Sequence, residues 1–371
     1  MMRHKTIIQV ILLSLSMSTL SGCKEKAINP EDDIPLFKDF IEENIDKIAD
    51  DPYISSTVKP DDEMYDLMLM LQRGDWSQTT WDEMDSLMKK GVENAKIIYA
   101  RTKIDEIYKR SKATAILTEL MSKGNPYATY WLSNKSNLCL SYLSSEHFGN
   151  KVAKKLGLDT AYENKYCTEE IYQKAVEGFK KLAAQGDLRA QYFLLKDQGL
   201  DKSIEKREEY IKEVIRFAEA HYYKPLMDYT STLMEPSHRG RKFRSKELEK
   251  LGVKLFNIAS NNYYIPAMAE STVYEADNNQ LFERMKRSGD RYYFLATALD
   301  RSNELSGEEK YCHALLYEKK FKSKRYFGFD DEWQEKDDYD ESICNIEKEV
   351  AEMKPMIYID YFTRIDNWGR G

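Results

Sequence analysis

The chain has 371 residues, with 56 Lys and Arg against 63 Asp and Glu, 42% apolar and 12% aromatic residues. Single cores stop growing at about this length, which implies two domains or a repeat array, and the aromatic content excludes a disordered chain. The formal charge of −7 argues against a general nucleic-acid role, while 16 Gly and 9 Pro exclude collagen-like and low-complexity classes.

Residues 1–5 are basic and residues 7–20 form an apolar stretch too short to span a bilayer. Leu20-Ser21-Gly22-Cys23 follows and resembles the lipobox of bacterial lipoproteins. That resemblance implies removal of residues 1–22 and a lipid on the Cys23 sulfur. With Lys24 after the Cys where an Asp would favour retention, it also implies an outer-membrane anchor and a body facing the periplasm. The mature chain would carry 54 basic against 63 acidic residues, a charge of −9. Residues 23–35 read as a polar, Pro-punctuated tether. Residues 36–303 read as helical repeats, and 304–371 as a C-terminal helical cap with an acidic aromatic loop.

Within the repeat region, 61–73 is an amphipathic helix with an apolar stripe of Met64, Leu67, Met68 and Leu71; Trp76 and Trp81 are expected to pack beside it. A second helix over 168–185 opens on Thr168 and buries Ile171, Tyr172, Ala175, Phe179 and Leu182. In the C-terminal region a third helix spans 342–353 and is closed by Pro355. No convincing alternating strand is present. The tail 355–371, rich in aromatics (Tyr358, Tyr361, Phe362, Trp368), is expected to cap the last hairpin.

One cadence recurs at turn positions 91, 124, 186, 221, 262 and 289: an apolar helix end, then Gly, Asn or His, then Ala or Pro opening a new apolar run. This is the signature of an αα-hairpin. Gly91, Gly124, Gly186 and Gly289 supply the positive φ, Asn262 can adopt it, and His221 does so less readily. Asn125 and Asp187 can cap the next helix, and Pro126, Pro225 and Pro266 suit its first turn. The gap of 62 between positions 124 and 186 allows an insertion or a further unit. Ala183, Ala184, Gly186, Ala190, Leu194 and Gly199 give the run a cadence similar to the Sel-one-like repeat, a relative of the tetratricopeptide repeat. The resemblance extends over about 61–303 and weakens outside this unit. It implies an all-α solenoid of stacked hairpins with a surface that holds other proteins.

With Cys23 assigned to lipid, Cys139, Cys167, Cys312 and Cys344 remain, an even number that suggests two disulfides in an oxidising compartment. Three connectivities exist. Cys139–Cys167 and Cys312–Cys344 are favoured because each pair is close in sequence. The spacing fits no zinc site.

No G-x-S-x-G, H-E-x-x-H, Walker A or G-x-G-x-x-G occurs. His147, His221, His238 and His313 share no ligand spacing, and Glu169/Glu170 and Glu208/Glu209 read as helix-surface charge. The expectation is a binding protein without catalysis, cofactor or metal. Two charge blocks interrupt the helical pattern. In residues 238–246, Arg239, Arg241 and Arg244 suit an acidic partner or anionic headgroups, or a solvated loop. In residues 327–341, acids interleave with aromatics. There Trp333 and Tyr339 suit a protein hot spot, and the calcium-loop pattern is absent. At the level of architecture, Sel-one-like lipoproteins include immunity proteins that neutralise type VI secreted phospholipases. That is the first functional expectation, and an envelope scaffold that recruits a host envelope protein is the second.

Overall fold

Six times among the described residues a helix ends in a left-handed residue, and the next helix starts two or three residues later. In the computed structural model, which describes residues 27–144, 148–157, 165–238, 240–274, 279–298, 305–321 and 341–360, these residues are Gly91, Gly124, Gly186, His221, Tyr263 and Gly289, with φ between 56° and 95°. After each, the next N–H donates to a carbonyl five residues back. The pairs are Val92 to Leu87, Asn125 to Leu120, Asp187 to Leu182, Tyr222 to Phe217, Tyr264 to Ala259 and Asp290 to Met285, at 2.9–3.1 Å. Each bond satisfies a carbonyl that a helix end leaves orphaned.

The fifth turn departs from the sequence expectation by one residue. Asn262 has φ −101° and Tyr263 takes the left-handed position. The reason is the register of the hairpin: Ala95, Ala128, Ala190 and Ala267 each lie four residues after a left-handed residue, and each is fully buried. Tertiary packing of Ala267 overrides the intrinsic preference of Asn for positive φ.

The fold is all-α, and regular structure among the described residues is helical apart from one two-stranded ribbon. After a 3₁₀ helix (Pro30–Phe37) come α1 (Lys38–Asn44) and α2 (Tyr65–Gln72). Six hairpins follow: α3 (Gln78–Lys90) with α4 (Glu93–Lys103), α5 (Arg110–Ser122) with α6 (Pro126–Trp131), and, after a break, α9 (Glu169–Ala184) with α10 (Leu188–Asp197). Then come α11 (Arg207–Glu219) with α12 (Lys224–Thr232), α13 (Lys246–Asn261) with α14 (Ile265–Tyr274), and α15 (Asn279–Arg287) with α16 (Arg291–Ala298). The break holds α7 (Asn137–Tyr142) and α8 (Phe148–Lys155); α17 (Gly307–Phe321) and α18 (Ile346–Glu352) close the series. The 62-residue gap is therefore an insertion, because α9 packs directly on α6. At that crossing a Cβ on Gly178 would stand 2.7 Å from the Pro126 Cβ, so only glycine allows the approach. Thr168 caps α9 through the Ile171 N–H, and Asn125 and Asp187 cap α6 and α10 as expected.

The ribbon pairs β1 (Met234–Ser237) with β2 (Gly240–Phe243), in register Met234 opposite Phe243 and Ser237 opposite Gly240. The sequence reading contained no strand here. Each strand is only four residues long and β1 carries Pro236, so the alternation is too short to register. Phe243 anchors the ribbon: its ring is buried over Gly252 on α13, where a Cβ would come within 2.3 Å of the ring.

Both ends of the chain depart from the expected tether and cap. The second half of the tether is docked structure. Asp33 is 1% exposed and binds Arg207, while Phe37, Phe40 and Ile41 join the core built by α11–α14. Residues 353–360 form an extended strap that meets the last hairpin at Gly289 and Arg287 but lies mainly against the first elements. The Ile357 carbonyl accepts from the Thr57 N–H at 2.8 Å, and Gln72 brackets the strap, donating to the Met356 carbonyl (2.9 Å) and accepting from the Tyr358 N–H (2.7 Å). Ile357 and Ile359 complete the core of α2–α4, where Leu67, Met68 and Leu71 point. Residues 361–371 of the expected cap lie outside the described residues.

Candidate partner-binding surfaces

The four cysteines pair as favoured. Cys139–Cys167 closes the base of the insertion with Cα atoms 5.6 Å apart, and Cys312–Cys344 ties α17 to the start of α18 with Cα atoms 5.4 Å apart. Cys167 itself sits at φ 60°. Cys23, Arg239, Trp333 and Tyr339 lie outside the described residues.

Arg241 and Arg244 fall on and just after β2. The Arg241 guanidinium donates to the Ser231 carbonyl, and its charge opposes the burial that pushes the Glu270 carboxyl above the usual carboxylate range. Arg244 is exposed, with its backbone N–H on the Leu233 carbonyl at 3.1 Å. Lys242 points outward to Glu235 at 3.1 Å.

A second surface was not anticipated. It is built from residues at equivalent positions of successive hairpins: Asp187, Tyr222 and Tyr264 each directly follow a left-handed residue. Asp187 caps α10, pairs with Arg189 at 3.1 Å and accepts from the Tyr127 hydroxyl on α6 at 3.4 Å. Tyr192 on α10 donates to Asp228 on α12 at 2.7 Å, and Lys224 pairs with the other Asp228 oxygen. The Tyr222 hydroxyl donates at 3.4 Å to Asp360, which the strap delivers. The phenol rings are buried, and Arg189, Lys224 and Asp228 are half-buried at the rim. The network thus links hairpins two, three and four to the C-terminal strap.

Its electrostatics are coherent. Burial, reinforced by Asp228, holds the Tyr192 hydroxyl far above its usual range; burial and then Asp360 do the same for Tyr222. Burial would raise Asp187, but the Arg189 charge together with hydrogen bonds from the Arg189 side chain and the Ala190 and Arg189 N–H groups outweighs it, and the carboxyl lies below its usual value. The tyrosines therefore stay neutral donors and Asp187 stays a charged acceptor across the physiological range. Such an arrangement holds these polar groups in fixed relative positions. Its sequence signal was the aromatic or acidic residue recurring one place after the turn. That signal is visible only once the fifth turn is set at Tyr263.

His221 occupies the fourth turn, with Nδ1 3.4 Å from the Tyr223 hydroxyl, and burial lowers its pKa. Among the described residues no group of three His, Cys, Asp or Glu could hold a metal ion, and no helix is long and apolar enough to cross a membrane. Comparison with known proteins gives no match to a family model, a curated protein or a solved structure.

Proposed function

We propose that this chain is a lipoprotein, anchored through Cys23 and facing the periplasm, that binds another protein on its array of Sel-one-like hairpins. The observation that carries the reading is the Tyr–Asp–Arg network spanning three hairpins and the strap. It presents Arg189, Lys224 and Asp228 in fixed positions, and such preorganised polar groups beside aromatic rings make a recognition surface with little ordering to lose on binding. The best assignment for the partner is a type VI secreted toxin of the phospholipase type, which makes the chain an immunity protein.

The test is co-expression in the periplasm with a lipase-like toxin encoded next to this gene. The chain should restore growth, and Arg189→Ala with Asp228→Ala should weaken binding in calorimetry by at least about tenfold, the scale of losing a charged hydrogen bond. No rescue, together with a pull-down dominated by host envelope proteins, would replace this reading with the scaffold one.

A further inference from the structure

The strap 353–360 crosses the left-handed turns in the reverse of chain order. At the sixth turn the Lys354 N–H donates to the Arg287 carbonyl at 2.7 Å, and a Cβ on Gly289 would stand 3.3 Å from the Pro355 ring. Tyr358 meets Tyr264, one place after the fifth turn, with ring centroids 6.4 Å apart. The Tyr222 hydroxyl, one place after the fourth turn, donates to Asp360 at 3.4 Å. Two or three strap residues thus carry the chain from one turn to the next. That is the pace of an extended chain rising about 3.3 Å per residue over helices packed about 8–10 Å apart.

Asp360 is 6% exposed. Burial raises the hydroxyls of Tyr127, Tyr222 and Tyr264, and the Asp360 charge raises each further. The strap therefore enters the Tyr–Asp–Arg network from the side of the sixth turn and delivers its carboxylate among groups from hairpins two, four and five.

The turns that remain in this direction are the third at Gly186, the second at Gly124 and the first at Gly91. Asp187, Arg189 and Tyr127 stand beside the third and second, with the Arg189 guanidinium 5.6 Å from the centre of the Tyr127 ring. At two or three residues per turn, three turns take about six to nine residues. Eleven residues, Tyr361 to Gly371, follow Asp360 in the sequence, and they include Tyr361, Phe362 and Trp368. Attachment at Asp360 gives them an effective concentration on the order of millimolar over this surface, so weak contacts suffice to hold them there.

We propose that residues 361–371 cover the Tyr–Asp–Arg network in cis and that a protein partner has to displace them. The competition rests on the partner reading; the cover rests on the path of the strap.

The test compares the native chain with the full-length variant Tyr361→Ser/Phe362→Ser/Trp368→Ser. An acylating reagent reads Lys224 and a dicarbonyl reagent reads Arg189, both half-buried at the rim, by peptide mass spectrometry. Both should react at least about threefold faster in the variant, which corresponds to a cover in place about two-thirds of the time or more. Lys246 and Lys250, exposed on α13, should react equally in the two chains. The free peptide Tyr361–Gly371, at about 1–5 mM, should slow labelling of the variant again. Equal rates at Arg189 and Lys224, no slowing by the peptide, or a rise that comes with a lowered thermal midpoint overturns the cover.

The toxin of the co-expression test supplies the second arm. It should bind the variant more tightly than the native chain by the same factor, because both quantities scale with the uncovered fraction. Equal affinity removes the competition and keeps the cover. Tighter binding to the native chain makes residues 361–371 part of the partner's contact and overturns the competition. A toxin that binds neither chain defeats the partner reading, and the labelling rates still decide the cover.

Discussion

Replacing Asp33 with Asn should loosen the N-terminal segment while the hairpins stay folded. Asp33 accepts three hydrogen bonds from Arg207, at 2.6, 3.0 and 3.1 Å, and one from the Tyr229 hydroxyl at 3.1 Å. The Arg207 side chain is 14% exposed, so removing the carboxylate strands a nearly buried guanidinium. Breaking a buried pair in this way costs about 3–5 kcal/mol. The segment also buries Phe37, Phe40 and Ile41, each contributing roughly 1.5–3 kcal/mol. It should therefore remain docked most of the time and open more often. Converted at about 1.4 kcal/mol per decade, amide exchange across 30–45 should accelerate by about two to three orders of magnitude. Exchange across α9 should hold, because its core is built without this segment. Hydrogen-exchange mass spectrometry reads both regions in one experiment. The double variant Asp33→Asn/Arg207→Met should recover much of the protection, since an apolar replacement strands no charge. An acceleration below about fivefold in the single variant would refute the claim that this pair fastens the segment.

Replacing Cys139 and Cys167 together by Ser should destabilise the chain by about 3–4 kcal/mol, the loop-closure value for a separation of 28 residues; urea midpoints with and without reductant check it. Gly178→Ala should cost about 1–3 kcal/mol by wedging α6 from α9. Gly186→Ala, whose new Cβ meets nothing within 4 Å, should cost only the strain of φ +92°, about 1–2 kcal/mol in thermal melts. Burial, aided by the Lys286 charge, pushes His313 down to about 4 from an ordinary 6.5. The unfolded chain then binds more protons between those values, so stability should fall as pH drops from about 6.5 to 4, by up to about 3 kcal/mol. His313→Gln should flatten that slope in pH-dependent melts.

The hairpins were legible because their turns carry local chemistry: a left-handed residue, a cap and an alanine at fixed offsets leave a pattern in consecutive residues. Local preference also explains the slip at Asn262, where the residue better suited to positive φ is not the one that takes it. Gly178 over Pro126 and Gly252 under Phe243 show why the insertion and the ribbon were not legible: each is fixed by a contact between separate elements. The polar network was hidden for the same reason, as Tyr192 and Asp228 are 36 residues apart and Tyr222 and Asp360 are 138 apart. The expected tether failed at Asp33, which reads as solvated acid until Arg207 stands opposite it.

The strap has a consequence for how the molecule comes apart. An open row of repeats frays from its ends, because each terminal unit has a single neighbour. Here Gln72 grips Met356 across 284 residues of sequence and Thr57 grips Ile359 across 302, so neither terminal unit can leave without releasing the other. Contacts this distant form late, after the intervening chain has folded. Once made, they join local hairpin stabilities into one cooperative unit that a protease cannot enter by nibbling at either end.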